Sequence, residues 1–219
     1  MDKLGHLFAT FHFANLAYFV FGFSIFRSIH QYPQARIWIS GFIGFLLISS
    51  IEILDGFSQG YGASIYDLLA NLLGFMLFCL QRLLFQQLFL RPKFSFYFTE
   101  FAVERPQMFG DSWITQLLKD YNGQTYWYSF PIHFLPKWLR IAVGYSATNM
   151  LFGRIYQNEA LGLHPYRRFL ISLDVDLLAL KTKYQWLNYL MIPANLLRLP
   201  LPTLEWNEQE GFVWHWVYF

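Results

Sequence analysis

Three short pairs of residues could do chemistry. Asp2 and His6, Glu52 and Asp55, and Asp67 and Asn71 are each spaced i,i+3 or i,i+4, so each pair shares a face if its segment is helical. Ser64 stands three residues before Asp67, where a helix N-cap with an acidic first turn would be found. Carboxylates with an imidazole and an amide form a competent set for holding a hard divalent cation or for moving protons. His6, Glu52, Asp55 and Asp67 are the catalytic candidates. Glu52, Asp55 and Asp67 are the candidate ligands, with a divalent metal ion as the candidate cofactor. A quieter role fits the same residues. Asp2 and Asp67 sit where an acid complements a helix dipole, and Asn71 with Gly74 would permit close helix packing. Taken together the set favours a shared polar site, because acids within apolar segments are costly and rarely idle.

The segments that must position these residues are long and apolar. Leu4 to Phe26 contains no Asp, Glu, Lys or Arg, and a helix of that length crosses a hydrocarbon core of ~30 Å. Arg27, Ser28, His30, Gln31, Tyr32 and Pro33 interrupt it. A second apolar run covers Ile37 to Ile51 and a third Leu68 to Leu90, with a glycine-rich turn over Gly56 to Gly62 between them. In an up-down-up bundle the start of helix one, the end of helix two and the start of helix three lie at the same end. The polar pairs can therefore converge there.

After Arg91-Pro92 the pattern changes. Lys93–Phe98, Leu139–Tyr145, Arg168–Leu177 and Gly211–Phe219 read as strands. The clearest is Arg168–Leu177: Phe169, Ile171, Leu173, Val175 and Leu177 share one face, while Ser172, Asp174 and Asp176 share the other, which predicts a wet polar face. Four or five strands are too few to close a membrane barrel. Asp111–Tyr121 reads as a helix, Asn122-Gly123 as a turn, and Trp186–Leu199 as an amphipathic helix kinked at Pro193. The expected fold class is an α+β membrane protein. Three apolar helices over 1–91 precede a small antiparallel β region with one or two amphipathic helices over 92–219.

Composition narrows the partners. Of 219 residues, 55% are hydrophobic, 14% charged and 21% aromatic, a deficit of charge against the ~25% of soluble domains. The net charge of +2 comes without a long basic run, which argues against nucleic acid. The lone Cys79 lies inside an apolar run. It excludes an internal disulfide and a CxxC zinc site, and it is not an N-terminal lipid-attachment residue. Patterns such as G-x-S-x-G, a P-loop or H-E-x-x-H are absent. The first apolar run is too long for a signal h-region and lacks an A-x-A-like close, so it reads as an uncleaved anchor or as a chain whose true start lies elsewhere.

DKLGH at 2–6, E-x-x-D-G-F-S at 52–58 and S-x-x-D-x-x-x-N-x-x-G at 64–74 resemble the YfiM-like family of uncharacterised bacterial envelope proteins. The wider pattern is similar to VanZ-like membrane proteins, whose middle segment usually reads Glu-x-x-Gln where this chain has Glu52-x-x-Asp55. KFSFYFT (93–99), LLKDYNGQTYW (118–127) and PKWLRIAVGYSA (136–147) extend the likeness to a longer version found in Bacteroidetes. Together these stretches reach over about two-thirds of the chain. The resemblance implies a cell-envelope location and no established activity.

Two functions follow as expectations. The first is a non-catalytic membrane-bound subunit of a larger envelope assembly, with the bilayer and other proteins as partners. The second is a membrane-embedded hydrolase or transferase acting on a lipid-linked substrate through the Asp/His/Glu/Asp cluster. Arg27 and Arg36 in the first loop, with Arg82, Arg91 and Lys93 after helix three, would turn the cluster towards the periplasm. The aromatic C-terminus favours the outer-membrane or periplasmic side.

Overall fold

Apolar runs free of helix breakers make the first elements. The computed structural model describes residues 1–23, 26–57 and 62–219, and the chain divides into two compact units, Asp2–Phe89 and Leu90–Phe219. The first unit holds α1 (Asp2–Val20), α2 (Arg27–His30), α3 (Pro33–Asp55) and α4 (Ile65–Phe85). Pro33 opens α3 at a position where its missing N–H is not needed. Gln86, in the left-handed region at φ 56°, stops α4 short of Leu90, where the apolar run ends. The glycine-rich turn expected over Gly56 to Gly62 falls mostly on residues 58–61, outside the described residues.

By length and composition, α3 and α4 are able to cross a membrane. The helix α1, carrying His6, Thr10, His12 and Asn15, is not one of that pair. These side chains dilute its apolar character, and His6, Thr10 and Asn15 reach α4. Both longer helices meet α1 through glycine. A Cβ on Gly44 would lie 2.6 Å from Thr10 O, and one on Gly74 would lie 2.5 Å from Leu7 O, so the backbones approach as only small residues permit. At the far end of α1, Tyr18 is held between two guanidinium groups. Arg36 of α3 stacks 3.8 Å from its ring and Arg82 of α4 stacks 4.2 Å from it. Large apolar residues such as Leu16, Phe42, Leu46, Leu73 and Leu84 cover the outside.

The second unit is built on six antiparallel strands in chain order: β1 (Arg91–Phe96), β2 (Gln124–Pro131), β3 (Leu139–Thr148), β4 (Tyr166–Val175), β5 (Leu201–Asn207) and β6 (Gly211–Tyr218). The connections carry α5 (Phe101–Glu104), α6 (Pro106–Phe109), α7 (Trp113–Lys119), α8 (Ile155–Glu159) and α9 (Gln185–Ala194). Sequence periodicity marks four of the strands and misses β2 and β5. It also carries α9 too far. The helix ends at Ala194, and after a turn Leu197 makes a single parallel bridge to β1, with Phe94 N–H donating to Leu196 O and Arg198 N–H to Phe94 O, both at 2.9 Å.

The main correction concerns which face is inside. Along β4, Phe169, Ile171 and Leu173 are 44%, 47% and 45% exposed, whereas Arg168, Ser172 and Asp174 are buried. The face expected to be wet is the interior. Neighbouring strands agree: Arg140 and Ser146 of β3 and Thr203, Glu205 and Asn207 of β5 are all buried. The sheet curls to enclose them. Thr125 Oγ1 on β2 lies 3.0 Å from Tyr218 Oη on β6, although a flat sheet with strands ~4.8 Å apart would hold those strands ~19 Å apart. Inside the curl, Trp127 lies against β3 where Gly144 leaves room. A Cβ there would fall 2.6 Å from the indole.

On the outside, side chains form rows across the register. Tyr145, Phe169, Trp206 and Phe212 make an aromatic row, and Val143, Ile171, Leu204 and Trp214 the next. The two rows border a shallow apolar concavity.

Candidate functional site

The polar pairs of the first unit meet at one end of its helices. His6 is the hub. Its Nε2 lies 3.2 Å from Glu52 Oε1 on α3, and its Nδ1 lies 3.1 Å from Asn71 Oδ1 on α4. Asn71 also accepts from Thr10 Oγ1 at 3.2 Å and donates to Ser49 Oγ at 3.3 Å. Glu52 Oε2 accepts the backbone N–H of Ser64 at 3.1 Å. Lys3 bridges Asp67 and Asp2, the latter at 2.9 Å. Glu52, Asp67 and Asn71 are buried, and Asp2 and Lys3 form the wetter rim.

Chemically this is a shared-proton arrangement. An imidazole nitrogen facing a carboxylate oxygen at 3.2 Å requires one proton between them, carried by the ring or by the acid. With Nδ1 turned to the Asn71 carbonyl oxygen, ring and amide orient one another.

Each sequence candidate has a definite place. Asp2, His6, Glu52, Asp67 and Asn71 come together. Ser64 occupies the N-cap position of α4 without a side-chain cap and joins the cluster through its backbone instead. Asp55 sits one turn beyond Glu52, at the end of α3, and none of the cluster's hydrogen bonds described above involves it. Among the described residues, a group able to offer metal ligands is Asp2, His6 and Asp67, with ligand atoms within 4.8 Å of one another. It differs from the set Glu52, Asp55 and Asp67 expected from sequence. Lys3 contacts two of its three members, so the chain already supplies a cation there. Sequence reasoning missed Lys3, Thr10 and Ser49. The signals were available: Thr10 is i+4 from His6, and Ser49 is i−3 from Glu52.

A larger polar constellation fills the sheet. Lys93 donates to Asp174 Oδ1 at 3.0 Å and to Val175 O at 2.7 Å, while Ser129 donates to Asp174 Oδ2 at 2.6 Å. Burial pushes the Lys93 ammonium below its usual range, even though Asp174 opposes the shift. Arg140 donates to Ser129 Oγ at 2.9 Å, and burial together with nearby Arg91 lowers it to about 10. Towards the other end, Arg168 grips Glu205 with two bonds of 2.7 and 2.5 Å. His215 Nε2 lies 2.8 Å from Glu205 Oε2, and Asn207 donates to Oε1 at 2.9 Å. Burial alone would raise the Glu205 carboxyl, but Arg168, aided by Asn207 and His215, holds it below the usual carboxylate range. Arg198 stacks 4.0 Å from the Trp127 ring and donates to Thr203 Oγ1 and Tyr218 O, both at 2.8 Å. These groups bond one another across the interior.

Residues 1–82 match the model of a family described as predicted periplasmic lipoprotein (DUF2279). The match contains every residue of the helical cluster and ends before the sheet begins. It supports an envelope protein on the periplasmic side, of unknown role. No curated protein and no solved structure matches the chain. The lone Cys79 is fully buried within α4, where lipid could not reach its thiol.

Proposed function

We propose that this protein is a membrane-bound, non-catalytic subunit of a larger cell-envelope assembly. In this reading α1, α3 and α4 form an up-down-up bundle in a bilayer, and the cluster around His6 locks the three helices together. The observation that carries it is the inward closure of the cluster. Glu52 and Asn71 are buried and bonded to groups on neighbouring segments, which is how polar side chains hold helices in an apolar medium. Two helices long and apolar enough to cross a membrane, clad in exposed Leu and Phe, support the bilayer. The envelope family matched over residues 1–82 and the resemblance to YfiM-like and VanZ-like proteins support the location.

Purification of the tagged protein in mild detergent, with elemental analysis, tests the reading. A stoichiometric protein partner and no bound metal are expected. A lone monomer carrying one divalent ion would overturn it.

A second reading rests on the approach of Asp2, His6 and Asp67. With Lys3 displaced, these three would hold a divalent ion at the membrane face and serve a hydrolase or transferase acting on a lipid-linked substrate. Calorimetric titration with Mn²⁺ distinguishes the two. Lys3→Ala would then tighten binding and Asp67→Asn abolish it, whereas the locking role predicts no binding to either.

A further inference from the structure

We infer that the outer face of β3–β6 is itself a lipid-binding surface, laid face-on against an anionic bilayer. This adds a second membrane contact, in a different unit, to the helical one proposed above, on which it rests only for delivery to the membrane.

Three observations carry it. First, the buried polar side chains of this sheet bond one another inside the curl, and from Phe169 to Leu173 the outer face of β4 is apolar, with exposed Arg167 at its margin. Ile171, Leu173, Trp206 and Trp214 all point outward and are 41–52% exposed. A contiguous set of exposed apolar side chains of this kind marks an interaction surface.

Second, charge is distributed asymmetrically around that face. At the end where β2 turns into β3 and β4 leads towards β5, the exposed charges are Lys137, Lys181 and Lys183, interleaved with exposed Phe134, Trp138 and Trp186. Asp176, the acid of these connections, is buried and paired with Arg91. Lysines among amphipathic rings complement a phosphate layer, their stems resting on apolar surface with the ammonium groups at the headgroups. At the opposite end, exposed Glu208 and Glu210 follow the aromatic row of Tyr145, Phe169, Trp206 and Phe212, with exposed Arg167 beside them on β4, and these charges set the outer limit of the contact.

Third, the geometry selects a face-on pose. The strand β6 is an edge of the sheet, and open edges are not tolerated within hydrocarbon. Side chains therefore enter the acyl region while the backbone stays at the interface. The occupant is the hydrocarbon and phosphate layer of the bilayer.

The test uses the full chain with Cys79→Ala, reconstituted in vesicles of equal phosphatidylglycerol and phosphatidylcholine. Nitroxide labels are placed singly at Ile171→Cys on the sheet, Leu46→Cys on α3 and Glu208→Cys in the polar turn. Accessibility to oxygen is compared with accessibility to a nickel chelate. Expected is an oxygen-to-nickel ratio several-fold higher at Ile171 than at Glu208. The ratio at Ile171 should fall in pure phosphatidylcholine and in the variant Lys137→Gln/Lys181→Gln/Lys183→Gln. A lipid signal at Leu46 with water exposure at Ile171 overturns the inference and leaves the helical reading standing. Ile171 shielded from both reagents means that protein covers the face, which also overturns it. Water exposure at both positions removes both readings.

Discussion

The two units hide their polar groups in different ways. In the helical unit the backbone satisfies itself along each helix, so polar side chains are needed only where helices begin, end or cross. They gather around His6 at one end of α1 and around Tyr18 at the other. In the sheet unit, side chains alternate across every strand. Arg168, Ser172 and Asp174 share the inner face of β4 with Leu170, so the interior combines a bonded polar network with an apolar cluster of Trp127, Ala142, Leu170 and Tyr218. Both solutions leave an apolar exterior. The common factor is a row of large exposed apolar side chains, reached through two unrelated architectures.

The contrast can be broken most sharply in the sheet. Lys93→Ala would leave Asp174 buried without its cation, at a cost of about 3–5 kcal/mol. Chemical unfolding followed by tryptophan fluorescence should show the loss, and Lys93→Met with Asp174→Leu should recover most of it. If the single variant is as stable as the parent, the interior network is not what holds the sheet.

The helical counterpart is Gly74→Val, which forces a side chain against Leu7 O and should cost about 1–3 kcal/mol. Thermal melts monitored by circular dichroism in detergent should show the helical transition shifted down. An unchanged melt would mean that α1 and α4 are packed less closely than described.

A smaller effect separates the units by pH. The depressed Glu205 carboxyl stabilises the sheet above the unfolded carboxylate value of about 4.3. That stabilisation is lost as pH falls through the lower folded value. Glu205→Gln should flatten the acid limb of the sheet's stability profile and leave the helical transition where it was. Retention of the full acid limb in the variant would assign it to other carboxylates.

The smallest effect is expected at Asp55. Asp55→Asn should change stability by no more than about 0.5 kcal/mol and leave bound-metal content untouched. A large loss on either measure would return Asp55 to the site.

Much of this was legible in the sequence, for reasons that also explain the rest. Spacing along three apolar runs brought Asp2, His6, Glu52, Asp67 and Asn71 together, because helix faces follow from i,i+3 and i,i+4 steps. Lys3, adjacent to Asp2, carried no spacing signal of its own. In β4 the alternation was visible but its sign was not. A period of two is the same whichever face is buried, and only the partners of Asp174 on β1 and β2 decide it. The strand β2 escaped notice because Gln124 through Trp127 are buried on both faces and show no alternation. In β5, Pro202 and Glu205 disguised an otherwise regular strand.

The backbone bridge between Leu197 and Phe94 has a consequence for biosynthesis. It pairs with β1 through Phe94, so the first strand of the sheet waits for residues made long after β2, β3 and β4 have emerged. Until then the outer edge of β1 is without its backbone bonds at Phe94, and open edges are templates for joining another chain. A chain stopped before residue 198 would therefore lack the bonds that Leu196 and Arg198 make with Phe94 on that edge.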